Sequence, residues 1–177
     1  MSTGQVTAGF PLYRVNGETQ LFMPTTSYTR VDDYGNVRIP RFAGWPVPVG
    51  TEVLQGEHFL EALYRAFREK TTHPELHAHN TNAQMMGFKS FSRDDELIDI
   101  NYFRFAAHVP EIRIRPGIGY DSGTWNTAEG WIRHLSSNEF LKQREKKLSK
   151  TEQEHGLRRL TNERPNQMMS MLRRLGR

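Results

Sequence analysis

The chain has 177 residues, 36% of them hydrophobic and 25% charged, with no cysteine and a formal net charge of +4. That length supports one core with an appendage, not two full domains. The cysteine count excludes disulfides, iron–sulfur clusters and thiolate zinc sites, no stretch nears the roughly 18 apolar residues of a membrane span, and the first residues lack the layout of a signal peptide, so a soluble, cytoplasmic protein is expected.

From the amino end, "PLYRV", "TQLFM", "TSYTRV" and "NVRIP" are β-favouring runs separated by turn signals at Asn16-Gly17 and Asp33-Tyr34-Gly35-Asn36, which predicts a meander of hairpins over residues 1–40. Pro46 and Pro48 of "GWPVPVG" remove backbone donors at alternate positions and predict an extended connector. In "GEHFLEALYRAFREK", Leu60, Leu63, Tyr64 and Phe67 recur at helical spacing, which predicts a helix from about Glu57 to Lys70 with that face in the core. The polar stretch "TTHPELHAHNTNAQMMGFKSF", punctuated by Pro74 and Gly87, reads as an irregular loop.

The alternation in "ELIDINYFRFAAHV" and "EIRIRPG" predicts two further strands, with Ile98, Ile100 and Phe103 in the core. The glycines of "PGIGYDSGTWN" read as a turn from strand to helix, and everything beyond reads as helical. "TAEGWIRHL" is a short helix. "SSNE" at 136–139 and "SKTE" at 149–152 both fit the Ser-x-x-Glu capping box and mark two helix starts; Pro165 marks a third. The fold class expected is α+β: a mixed or antiparallel sheet with a covering helix, a β-rich body over residues 1–135 and a basic helical extension over 136–177.

Charge separates these two parts. Residues 1–139 carry 13 Lys and Arg against 16 Asp and Glu, whereas residues 140–177 carry 11 against 4. The extension is therefore the basic segment, and Lys142, Arg144, Lys146, Lys147, Lys150, Arg158, Arg159, Arg173 and Arg174 are its candidate contacts to nucleic acid or to an acidic protein surface. Met168, Met171, Leu172 and Leu175 form a narrow apolar stripe that suits a protein partner, self-association or packing on the body. No membrane contact is expected.

Other constellations point to chemistry. His73, His77 and His79, with Asp94, Asp95, Glu96 and Asp99 downstream, offer imidazoles and carboxylates, but match no established metal-ligand spacing and read as exposed loop residues, so no metal site is assigned. Gly117, Gly119 and Gly123 lack the lysine and spacing of a phosphate loop. Arg113 and Arg115 share one face of their predicted strand and, with Arg104, form a candidate basic stripe. No cofactor motif is matched.

"PLYRV", "FKSFS" and "EIRIRPG" together resemble the Arg, Ser-x-Ser and Glu elements that ADP-ribosyltransferases place on three strands around NAD. The resemblance implies that Arg14 holds the phosphates, Ser90 or Ser92 supports the nicotinamide ribose, and Glu111 stabilises the charge developing at the glycosidic bond. It departs from the family where Ser-Phe-Ser stands for Ser-Thr-Ser and where Val109 precedes Glu111 by two places. Two functions are thus expected in order: a non-enzymatic, structural component of a nucleic-acid-containing assembly, such as a virion or mobile element, and, as the alternative, an ADP-ribosyltransferase-like enzyme or toxin.

Overall fold

The structure, a computed structural model, describes residues 3–72, 83–93, 96–107, 111–159 and 164–176. Strands β1 (Thr3–Val15) and β2 (Glu18–Thr26) form a hairpin with Val15 opposite Glu18. Asn16 and Gly17 both have positive φ, 51° and 80°, as the tight two-residue turn requires. A separate ribbon of β3 (Arg30–Val31) and β4 (Val37–Arg38) follows, then β5 (Val49–Glu52) and helix α1 (Phe59–Lys70). The remaining elements are β6 (Gln84–Arg93), β7 (Glu96–Ala106), β8 (Tyr120–Thr127), α2 (Ala128–Leu135), α3 (Asn138–His155) and α4 (Asn166–Leu175).

The main sheet runs β6-β7-β1-β2-β8, with β5 pairing on β1 as well. Along one edge β1 is parallel to β7, from Thr3 opposite Leu97 to Leu12 opposite Ala106. Its other edge is shared: Val6 to Gly9 pair with β5, and Leu12 to Val15 pair with β2. The sheet therefore forks at β1, and the cleft of that fork is the region between β5 and the β2–β8 pair, which Gly50 N–H of β5 spans to Tyr120 OH of β8.

Alternation along β2 sorts the two cores. Phe22 joins Val49, Phe103 and Phe105 beneath Leu63, Ala66 and Phe67 of α1, while Leu21 and Met23 join Phe10 and Tyr102 beneath Trp131 and Leu135 of α2 and Met168, Met171 and Leu172 of α4. The expected α+β class, mixed sheet, covering helix and helical extension are all present, and the second face of the sheet is covered too. Gly9 lets α1 approach, since a Cβ there would lie 2.6 Å from Leu63 Cδ1. Leu63, Phe67, Ile98 and Phe103 are buried as expected, whereas Leu60 and Ile100 are half-buried at the core margins.

Four local expectations are corrected. "QMMGFKSF" is strand β6: its glycine sits at a bulge between Met85 and Gly87, where a side chain would meet Arg174 and Met171 of α4. "GYDSGTWN" is strand β8, with Gly123 leaving room for the Phe22 ring. "EIRIRPG" contributes one isolated bridge, Thr71 to Ile114, because its hydrogen bonds go to the end of α1, Thr72 N–H to Arg113 O and Arg115 N–H to Lys70 O. Helix α3 runs unbroken through "SKTE"; its start is capped by Ser137, whose Oγ accepts from Phe140 N–H, and it ends at Gly156 in the left-handed conformation.

At the other margin β6 is an edge strand, and α4 attends to it. Gln167 Nε2 donates to Ser90 O at 3.2 Å and Arg174 donates to Met86 O at 2.8 Å. Among the described residues no helix is long and apolar enough to cross a membrane.

Candidate functional site

The cleft is built by the β5–turn–α1 unit. His58 caps α1 with its ring nitrogen accepting from Leu60 N–H, and Glu61 reaches back to His58 N–H, so two otherwise unpaired donors are satisfied reciprocally. Arg65, one turn further, ties three segments: its guanidinium donates to Glu57 at 2.9 Å, to Glu52 O at 2.7 Å and to Glu69 at 3.4 Å. Glu57 also accepts from Leu54 N–H, which closes the turn. The hydrogen bond from Arg65, outweighing partial burial, holds the Glu57 carboxyl below the usual carboxylate range.

Lys70, the last residue of α1, reaches into the cleft. Its ammonium donates to Gly50 O and lies 5.2 Å from the Tyr120 ring centroid. Gly50 N–H points the same way, to Tyr120 OH at 3.3 Å, so both backbone groups of Gly50 face the cleft. No larger residue fits there: a Cβ at Gly50 would lie 2.6 Å from Thr7 O. Desolvation, reinforced by Arg30, pushes Lys70 down to about 8, while Glu69 and Glu52 oppose the shift. Burial pushes the Tyr120 phenol up. Arg115 closes the end of α1, its Nε donating to Thr71 O at 2.9 Å. At neutral pH this is a cationic, partly shielded group beside a backbone carbonyl: a point of attraction for an anionic ligand, and a proton donor or acceptor near physiological pH.

The sequence reading missed Lys70, although a signal was present. Leu60, Leu63, Phe67 and Lys70 follow one another at steps of three, four and three, so the apolar stripe of α1 continues onto a lysine. A cation on the buried face of a helix is uncommon and asks for a partner.

The basic residues of the extension divide into two groups. Arg144 is buried, donating to Ala43 O at 2.7 Å with its guanidinium 5.2 Å from the Trp45 ring, and Arg159 is held by Glu145 at 2.6 Å and by Glu152. With Arg174 on the β6 edge, these three build the fold. Lys142, Lys146, Lys147, Lys150, Arg158 and Arg173 are exposed, with Lys150 3.7 Å from Glu154. Lys142 and Arg144 share an open groove with Trp45 and Arg164. Met168, Met171 and Leu172 are buried in the core, with Leu175 packed beside it, so the chain itself covers that stripe.

Of the transferase-like residues, Arg14 and Ser90 do not converge, and the side chain of Ser92 lies outside the described residues. Ser90 donates to Asp99 and is paired with it across β7, and Asp99 lies opposite Gln5 of β1; Arg14 is nine positions further along β1, about 30 Å at the usual strand rise. Glu111 is exposed in the segment before Ile112. His73, His77, His79, Asp94 and Asp95 lie outside the described residues, and so does the side chain of Glu96. Among the described residues no group of three His, Asp or Glu converges as a metal site would need.

No family model matches the chain, and no curated protein matches it. Solved structures resemble it in fold. A NUDIX hydrolase from Alicyclobacillus acidocaldarius aligns with TM-score 0.57 at 10% identity over 78% of this chain and 85% of its own. An Ap4A hydrolase from C. elegans aligns with TM-score 0.52 at 12% identity, over 83% and 98%. The NUDIX domain of Shewanella oneidensis NrtR, solved with ADP ribose, aligns with TM-score 0.52 at 9% identity, over 71% and 73%. The likeness is one of fold, and it corrects both functional expectations. The expectation of a non-enzymatic assembly component gives way because the solved structures that share this fold are two hydrolases and a NUDIX domain bound to ADP ribose. The ADP-ribosyltransferase alternative falls because Arg14 and Ser90 stand far apart on the sheet and Glu111 lies on no strand of it.

Proposed function

We propose that this protein handles nucleotides joined through a phosphoanhydride, of the kind represented by ADP ribose and dinucleoside polyphosphates, and binds the diphosphate at the cleft between β5, the end of α1 and β8. The observation that carries the reading is the Lys70 ammonium beside Gly50, at the fork of a sheet whose fold is shared with proteins named for such ligands. A diphosphate is doubly anionic, and a shielded ammonium is a matched partner. Hydrolysis of the anhydride is the reaction that the hydrolases among the fold neighbours favour. Water would add to one phosphorus as the bridging P–O bond breaks, leaving two phosphate esters, with the water's proton passing to the departing phosphate oxygen. This reading keeps the cytoplasmic location expected from the cysteine-free composition.

Phosphoanhydride chemistry is commonly served by Mg²⁺ held by one or two carboxylates together with the substrate's phosphates. Among the described residues the donor set of this cleft does not fit that ion, because the Lys70 ammonium already stands at Gly50 O, where the carboxylates Glu69 and Glu52 act on it. Glu57 is occupied by Arg65 and by Leu54 N–H. No step is therefore routed through a metal.

The test is a panel of ADP ribose, Ap4A and mononucleotides, with binding measured by calorimetry and cleavage by ³¹P NMR. Binding of the anhydride-linked ligands ahead of nucleoside monophosphates is expected. Absence of both binding and cleavage in a folded sample overturns the reading.

A further inference from the structure

Phosphate-binding clefts need positive charge, and proteins supply it either as a bound metal ion or as a side chain. In this cleft the surroundings of the Lys70 Nζ are those of a small cation. It contacts a backbone carbonyl oxygen, Gly50 O, it lies against the Tyr120 π face, and two carboxylates, Glu69 and Glu52, act on it through the field. Gly50 itself is held by its N–H on Tyr120, and Thr7 O leaves no room for a side chain on it. The side chain arrives from the last turn of α1, whose preceding turns are locked by Arg65, so the ammonium is delivered by a rigid element.

We propose that Lys70 is a tethered cation that fills the place of a divalent ion at the Gly50 carbonyl, so that the cleft binds a diphosphate without added metal. The proposal rests on the reading of the cleft as a diphosphate site for its ligand, but its claim about cation occupancy is separate and is tested separately. A divalent ion brought to Gly50 O would have to displace Nζ and meet its charge at close range. Replacing the ammonium by a carboxylate reverses that: Lys70→Glu sets a third carboxylate beside Glu69 and Glu52, the kind of oxygen-rich set that Mg²⁺ or Mn²⁺ takes.

Two measurements separate the outcomes. In the first, ADP-ribose binding to the full chain is titrated in chelator and in millimolar Mg²⁺, for the native protein, Lys70→Met and Lys70→Glu. The native affinity is expected to be the same in both, Lys70→Met to lose roughly ten- to hundredfold, the usual loss for a charge-assisted contact to phosphate, and Lys70→Glu to bind only with the metal. In the second, Mn²⁺ alone is titrated by electron paramagnetic resonance, with no nucleotide present. Lys70→Glu should bind Mn²⁺ and the native chain should not, with Lys70→Met as the control for a folded protein lacking the charge. Native affinity that requires Mg²⁺, native binding of Mn²⁺ that Lys70→Met leaves unchanged, or Lys70→Glu that folds yet gains no Mn²⁺ would each overturn the tethered cation. If no form binds ADP ribose while the Mn²⁺ pattern holds, the choice of ligand class fails and the cation assignment stands.

Discussion

Arg65 and Glu57 meet at 2.9 Å across the turn that joins β5 to α1, and the same guanidinium reaches Glu52 O at 2.7 Å, so one side chain clamps strand, turn and helix. Both partners are mostly shielded, with side chains 17% and 13% exposed. Arg65→Met leaves a carboxylate and a carbonyl short of a donor and should cost about 2–3 kcal/mol in urea unfolding at neutral pH. Arg65→Lys should recover only part of that, because an ammonium lacks the fork that serves both acceptors at once.

The same pair gives the fold an acid limit. Glu57 titrates below its unfolded value, so its contribution is complete above about pH 4.3 and is lost as pH falls through the lower, folded value. Unfolding midpoints measured from pH 6 downward should fall more steeply for the native protein than for Glu57→Gln. Parallel curves would remove Glu57 from the account.

Lys70 works in the opposite pH range. Its folded value, about 8, lies below the unfolded lysine value of about 10.4, so between these limits the unfolded chain binds more protons and stability rises with pH. The groups acting on it are Arg30, Arg65, Glu52 and Glu69, with Tyr120 over the Nζ and titrating above its usual value. Tyr120 begins to oppose the trend near pH 10, so the window to measure is pH 8–10. Lys70→Met should flatten the profile there and be the more stable form at pH 7, where the native chain holds a desolvated ammonium.

Gly9 and Leu63 are coupled. Leu63→Ala alone should cost about 2–5 kcal/mol, as large-to-small core changes do, and Gly9→Ala about 1–3 kcal/mol through overpacking against Leu63 Cδ1. The double variant should cost less than the sum, because the new methyl occupies part of the space that the leucine vacates. Strict additivity in a denaturant cycle would show that α1 shifts instead.

Arg144 should behave as a core residue despite its charge. Arg144→Met keeps the aliphatic contact with Trp45 but leaves Ala43 O without its donor, for an expected loss of about 1–3 kcal/mol that added salt does not erase. Lys146→Met, on the exposed face of the same helix, should change stability by no more than about 0.5 kcal/mol.

Patterning carried the framework of this fold into the sequence. The turn at Asn16-Gly17, the alternation of β7 and the stripe of α1 are local signals, and each produced its element. What escaped was set by distant contacts. Gly87 and Gly123 look like breakers until Met171 and Phe22 are seen to need their space, and the second helix start at Ser149 fails because nothing between Lys146 and Thr151 interrupts α3. The site was hidden for a related reason. Single charged residues draw the eye when they cluster, as they do after residue 140, whereas Lys70 is alone and only its position on an apolar stripe marks it. Counting charges located the most basic segment, yet Arg144 and Arg159 within it serve packing.

The attachment of α4 to the β6 edge bears on how the chain is made. Strand edges recruit other strands, and β6 also shows Met85 and Phe88 to solvent. Gln167 and Arg174 hold the carbonyls at Ser90 and Met86, but residues 166–175 leave the ribosome about eighty residues after β6 does, an interval of roughly 4–16 s at ordinary synthesis rates. During that interval the edge is unguarded, and crowding by neighbouring nascent copies is the hazard the molecule faces before its last helix closes.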